Sequence, residues 1–223
     1  MPFVHVSTNP YSLATGVGIG MKRNLDQSHI GILYERAPGN INMCHLGWHY
    51  VFQNRKVNSS YYWMDCSCFD DPDESMFVRS RLAAVNENTR IAYGFATDPH
   101  CFDSDFNLPL KPVGWGLTCA SFVLAVFEVL GFQLLDYNTW VIRDDDEAWQ
   151  KEIIFKIVHL DETQAQAMQL YIGSFRFRPE EVAAGAVSHV NEMPIHFLSA
   201  VDKARDILSQ ICKSDGDEGK KDC

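Results

Sequence analysis

The sequence predicts an α+β protein, with an antiparallel sheet built by the first half of the chain and helices contributed mainly by the second. Two strand-like runs, at about 28–35 and 41–52, are joined by Arg36-Ala37-Pro38-Gly39-Asn40, which is turn chemistry, so a β-hairpin is expected there. From Cys119 onward the apolar residues recur at helical spacing. A chain of 223 residues, 46% hydrophobic and 22% charged, is long enough for one generous domain with a filled core. That domain is expected over 1–212.

Residues 3–7 alternate as a short strand. Gly16-Val17-Gly18-Ile19-Gly20 reads as a flexible loop; it lacks the G-x-G-x-x-G spacing and the terminal lysine of phosphate-cradling loops. After the hairpin, 61–64 adds a strand, with Tyr61, Tyr62 and Trp63 as sheet core. Asp71-Pro72-Asp73-Glu74 is a helix start leading into Met76, Phe77, Leu82, Ala83 and Val85, and 91–96 returns to the sheet. Helices follow at about 119–131, 146–159, 162–173, 179–187 and 196–212, with Pro179 at a first helical position. Asp144-Asp145-Asp146-Glu147 precedes one of them, where carboxylates cap the helix and complement its dipole. Residues 213–223 carry charge without apolar spacing and are expected to be a disordered tail.

A formal charge of −10 and a pI near 5.2, with no Lys/Arg cluster to displace counterions, argue against a nucleic-acid partner. No stretch approaches the roughly 20 apolar residues that span a bilayer, so stable membrane insertion is not expected. The first ten residues have neither a basic start nor an apolar signal core, which points to the cytoplasm and leaves export by a dedicated secretion machine open. Seven cysteines, at 44, 66, 68, 101, 119, 212 and 223, do not form a disulfide framework, and reduced thiols are expected. Cys44/His45, Cys66/Cys68 and His100/Cys101 lack the spacing of structural zinc sites. No metal or cofactor is called for.

One cysteine is placed for chemistry. Cys119 opens an apolar helix directly after a loop containing Pro109, Pro112, Gly114 and Gly116. The unpaired N–H groups and the positive end of the dipole at such a position favour thiolate over thiol. A nucleophilic cysteine also needs a base and a third group that orients the base. His29 and His45 lie on the two strands of the hairpin, where adjacent antiparallel strands bring side chains of one face together. Alternation puts His45, Gly47 and His49 on a common face, so either His45 or His49 is the orienting group, with His45 preferred. Trp115, four residues before the thiol, is placed either to line an acyl pocket or to anchor the loop.

Ser28-His29-Ile30-Gly31-Ile32-Leu33-Tyr34, Cys44-His45-Leu46 and Cys119-Ala120-Ser121-Phe122-Val123 together resemble the circularly permuted papain-like thiol hydrolases. That group includes lecithin retinol acyltransferase-like enzymes and permuted relatives of the NlpC-type cell-wall peptidases. The histidine strand precedes the cysteine helix, which is the permuted order. The resemblance covers about 28–131 and leaves 140–212 as a helical elaboration. Several relatives carry Asn before the cysteine and Glu-His after it, where this chain has Thr118 and Ala120-Ser121.

The resemblance implies a papain-like sheet packed against the nucleophile helix, with Cys119 as nucleophile, His29 as base, His45 as the orienting residue and the Cys119 N–H as an oxyanion donor. The function it implies is a thiol hydrolase of the cysteine peptidase or amidase kind, acting on a peptide, amide or related acyl bond through a thioester. Two other readings stand beside it: a lipid or thioester acyltransferase, and a papain-like module that binds a protein partner without catalysis.

Overall fold

The structure, a computed structural model, describes residues 3–5, 9–24, 27–86 and 88–217. Six strands form one open, antiparallel sheet: β1 (Val4–His5), β2 (Val17–Asn24), β3 (Gln27–Ala37), β4 (Asn40–Trp48), β5 (Val51–Lys56) and β6 (Tyr62–Asp65), in the order β1-β6-β2-β3-β4-β5. Six α-helices follow: α1 (Pro72–Ala84), α2 (Cys119–Val129), α3 (Asp146–Ile157), α4 (Glu162–Met168), α5 (Pro179–Ala186) and α6 (Phe197–Asp217). The class is α+β. Among the described residues no helix is long and apolar enough to cross a membrane.

Alternation along the strands divides the core in two. Val17, Ile19 and Met21 of β2, Ile30, Ile32 and Tyr34 of β3, and Cys44 and Leu46 of β4 face the helices and join one large apolar cluster with Phe122, Val123, Val126 and Phe127 of α2. Leu33, Ile41, Met43, Tyr61 and Trp63 form a smaller cluster on the opposite face. Helix α2 packs on β3 and β4, and α5 packs on β2 and β3. The apolar run that follows Cys119 is therefore buried between sheet and outer helices, which is why it shows no polar stripe.

Several expectations are corrected. The segment 16–20 is the start of β2, because Val17, Ile19 and Met21 alternate into the core while the intervening glycines make room on the other side. The run 41–52 is two strands, divided at His49-Tyr50, where Tyr50 turns the chain with φ of 57°. Residues 91–96 do not join the sheet and make only an isolated parallel bridge, Tyr93 to Leu117. Met76 and Phe77 are exposed, and α1 buries Ser75 and Val78 together with the expected Leu82. Helix α6 runs on to Asp217, five residues into the stretch expected to be disordered, and 218–223 lie outside the described residues. Of the strand expected at 3–7, residues 6 and 7 also lie outside them.

Candidate active site

The thiol is delivered by a backbone clamp. Gly94 donates to the Leu117 carbonyl at 3.3 Å, Leu117 to Ala92 at 3.0 Å and Ala96 to Gly116 at 2.9 Å, which ties the loop before α2 to 92–96. Only glycines permit so close an approach: a Cβ on Gly94 would lie 2.7 Å from the Gly116 Cα. Gln164 of α4 completes the clamp, donating to the Tyr93 and Trp115 carbonyls at 3.1 and 3.0 Å and accepting from the Gly114 N–H at 2.8 Å. Every polar atom of its amide group is used, which fixes a side chain that is otherwise fully buried.

Thr118 is the N-cap of α2, and its hydroxyl accepts from the Ser121 N–H at 3.1 Å while Ser121 Oγ accepts from the Thr118 N–H at 2.8 Å. This reciprocal box satisfies two helix-end donors and leaves others to face the sulfur. The backbone N–H groups of Ile30, Ala120 and Cys119 all favour the ionised sulfur. Burial outweighs them and pushes the Cys119 thiol up to about 11 from an ordinary 9.0, with the Glu180 carboxylate adding to the rise. The thiolate expected from the helix terminus is therefore not the resting form. Cys119 is a neutral thiol at neutral pH.

The two imidazoles come together on the other face of the sheet. His29 Nε2 and His45 Nδ1 are 2.8 Å apart, with the rings edge-on at 71°. Gly31 makes this possible. It stands opposite His45, and a Cβ there would lie 2.6 Å from the His45 Cβ, so its absence lets the imidazole reach diagonally to His29. Burial, then the neighbouring His45, lowers His29 to about 3. Burial likewise lowers His45 to about 4, against a hydrogen bond with Gln53 that works the other way. Both rings are neutral at pH 7, so one donates and the other accepts.

His49 goes elsewhere. The register shift between Leu46 and Trp48 breaks the alternation that put it on the face of His45. Its ring is buried, accepts from the Tyr93 N–H at 3.2 Å through Nδ1, and lies 3.5 Å from the Asp161 carboxylate through Nε2. The imidazole in contact with His29 is that of His45.

A cleft of ≈ 240 Å³ opens at Cys119, walled by Arg23 and Ser28 of the sheet, by Tyr93 and Trp149, and by Arg176, Arg178 and Glu180. Neither His29 nor His45 lines it. The thiol and the imidazole pair stand on opposite faces of β3, and among the described residues no hydrogen bond joins them. What links them is the strand itself, since the residue after His29 supplies the Ile30 N–H that lies against the sulfur. Trp115 does not line this cleft; it faces a second cavity beside Tyr50 and Asp161, with Lys111 over its ring at 5.0 Å.

Sequence reasoning missed the charge network behind the cleft. Asp146, fully buried, takes the Arg176 guanidinium at 3.0 Å and the Arg143 N–H at 3.0 Å. Asp145 takes Arg178 at 2.6 Å and Arg176 at 3.3 Å, while Arg143 pairs with Glu181. The acidic run was expected to cap α3. Asp145 does hold the N-cap position but makes no capping hydrogen bond, because the arginines claim its oxygens. The distant Arg176 and Arg178 carry no local signal of this pairing. Thr118-x-x-Ser121 does carry one, as a variant of the capping box.

Comparison with family models, with curated proteins and with solved structures finds no match. The site is read from its own geometry.

Proposed function

We propose that the protein is a cysteine-dependent hydrolase of an amide, peptide or related acyl bond, with Cys119 as nucleophile, His29 as base and His45 as the residue that orients the base. A papain-like arrangement in permuted order is part of this proposal. The observation that carries it is the 2.8 Å contact between His29 Nε2 and His45 Nδ1, which engages one nitrogen of His29 and leaves Nδ1 for the thiol proton. β3 pairs with β2 as far as Gln27, whereas its pairing with β4 ends at Ile32–Cys44. Catalysis requires the His29 imidazole to reach the thiol around that edge of β3.

Because thiol and imidazole are both neutral at rest, the proton moves during attack rather than before it. Sulfur bonds to the acyl carbon as His29 takes the thiol proton, and the Cys119 and Ala120 N–H groups at the helix start face the developing oxyanion. His29 then returns the proton to the leaving amine and a thioester remains. Water, deprotonated by His29, releases the acid and restores the thiol.

The test is an acyl-enzyme burst with an activated ester, p-nitrophenyl acetate, read alongside the mass of the labelled peptide. The acetyl group is expected on Cys119 and not on Cys44, Cys66, Cys68 or Cys101. His29→Ala should slow the burst by about 10²–10⁴-fold. Equal acylation of Cys119 and the other four free thiols of the described residues, or a burst indifferent to His29, defeats the reading.

A further inference from the structure

The cleft at Cys119 holds five charged side chains: Arg23, Asp145, Arg176, Arg178 and Glu180. Three of them are spoken for. Arg176 and Arg178 lie against Asp145 at 3.3 and 2.6 Å, and Arg176 reaches Asp146 as well. Two remain. Arg23 Nη1 donates to the Cys212 sulfur at 3.1 Å, and among the described residues no carboxylate pairs with its guanidinium. Glu180 has no cationic partner among them either.

The two charges are opposite in sign, line one cavity and do not neutralise each other. Arg23 follows Met21 on the helix-facing side of β2, while Glu180 stands in the first turn of α5. The thiol lies in the same cavity, close enough to Glu180 for the carboxylate to resist its ionisation. An aliphatic acyl chain entering here would strip water from both groups and give neither a partner, which costs several kcal/mol per unpaired charge. A ligand with an ammonium at one end and a carboxylate at the other satisfies both.

We infer that the cleft selects a dipolar, peptide-type ligand, with Glu180 holding its ammonium and Arg23 its carboxylate, and that these two residues determine specificity. Applied to the proposed hydrolase, this names the substrate class as short peptides or aminoacyl amides with both termini free, rather than lipids. It rests on the Cys119 reading for the chemistry but not for the binding.

The experiment therefore measures binding alone, by calorimetric titration of the full-length Cys119→Ala protein. The probes are dialanine, N-acetyl-dialanine, dialanine amide and octanoate. Dialanine is expected to bind about tenfold tighter than either blocked form, and octanoate not to saturate. Glu180→Gln should abolish discrimination against the N-acetyl form and leave that against the amide intact, and Arg23→Gln should do the reverse. Equal affinity for dialanine and its blocked forms, tighter binding of octanoate, or no saturable binding of dialanine overturns the inference. Since the probed protein lacks the thiol, none of these outcomes depends on whether Cys119 is a nucleophile, and the acyl-enzyme burst decides that separately.

Discussion

The two faces of the sheet solve the same electrostatic problem in different ways. On the helix-facing side, Asp146 is fully buried, with the guanidinium of Arg176 3.0 Å away and the Arg143 N–H donating to it at 3.0 Å. On the other side His29 and His45 meet each other with no counter-ion among the described residues, and burial keeps both neutral. Cys119 stands on the charged side but behaves like the imidazoles, since burial exceeds what three backbone N–H groups return to its thiolate. Proximity to charge therefore does not decide ionisation here. For the thiol and the two imidazoles, desolvation outweighs the partners each group has and keeps all three neutral.

The strongest way to break this contrast is to remove the aspartate. Asp146→Ala leaves Arg176 with only the more exposed Asp145 and the Arg143 N–H without its acceptor, and should cost about 3–5 kcal/mol in urea unfolding. Asp145→Ala, on the more exposed neighbour, should cost at most about 1 kcal/mol. Comparable losses at the two positions would contradict the distinction between built and incidental pairing.

Gly31→Ala strikes the other face. Its Cβ would press on the His45 Cβ at 2.6 Å, so a loss of about 1–3 kcal/mol is expected, together with changed histidine proton shifts in NMR spectra. Unperturbed imidazole signals would show that His45 does not depend on the glycine to reach His29.

Acid sharpens the comparison. In the folded protein His29 and His45 take protons only near 3 and 4, whereas the unfolded chain takes them near 6.5. Between those values the unfolded state binds more protons, so stability is expected to fall as the pH drops from 6.5 toward 4. Urea midpoints at pH 7 and pH 5 measure the fall, and the double substitution His29→Gln with His45→Gln should flatten it. A slope unchanged in that variant would place its origin elsewhere.

The smallest expected effect lies at the helix start. Thr118→Ala removes the hydroxyl that caps α2 and should cost about 1 kcal/mol in the same assay, with Ser121→Ala similar. A neutral result at both would mean that the loop clamp alone holds the helix end.

Legibility in the sequence followed the range of the interactions. The hairpin that carries His29 and His45 was readable because turn chemistry and alternation are local, and α2 and α5 were readable from apolar spacing and Pro179. β2 was not, because its glycines masked the alternation of Val17, Ile19 and Met21 and resembled a loop. The break between β4 and β5 was hidden because the apolar run continues through it, and only the unusual backbone of Tyr50 marks the turn. Placing His49 failed for the same reason: a register shift two residues earlier moves it from the face of His45 to a site beside Asp161.

By itself the sequence determined the alternation of β3 and β4, and with it the meeting of two imidazoles over a glycine, since backbone geometry carries that information from one residue to the next. It also determined that a thiol would open a buried helix. Only the tertiary structure decided that burial holds this thiol neutral, that Asp146 is enclosed by arginines from near and far along the chain, and that Arg23 and Glu180 line one cleft with no opposite charge paired to either among the described residues. Desolvation and pairing depend on what the rest of the chain packs around a group, which no local pattern of residues records.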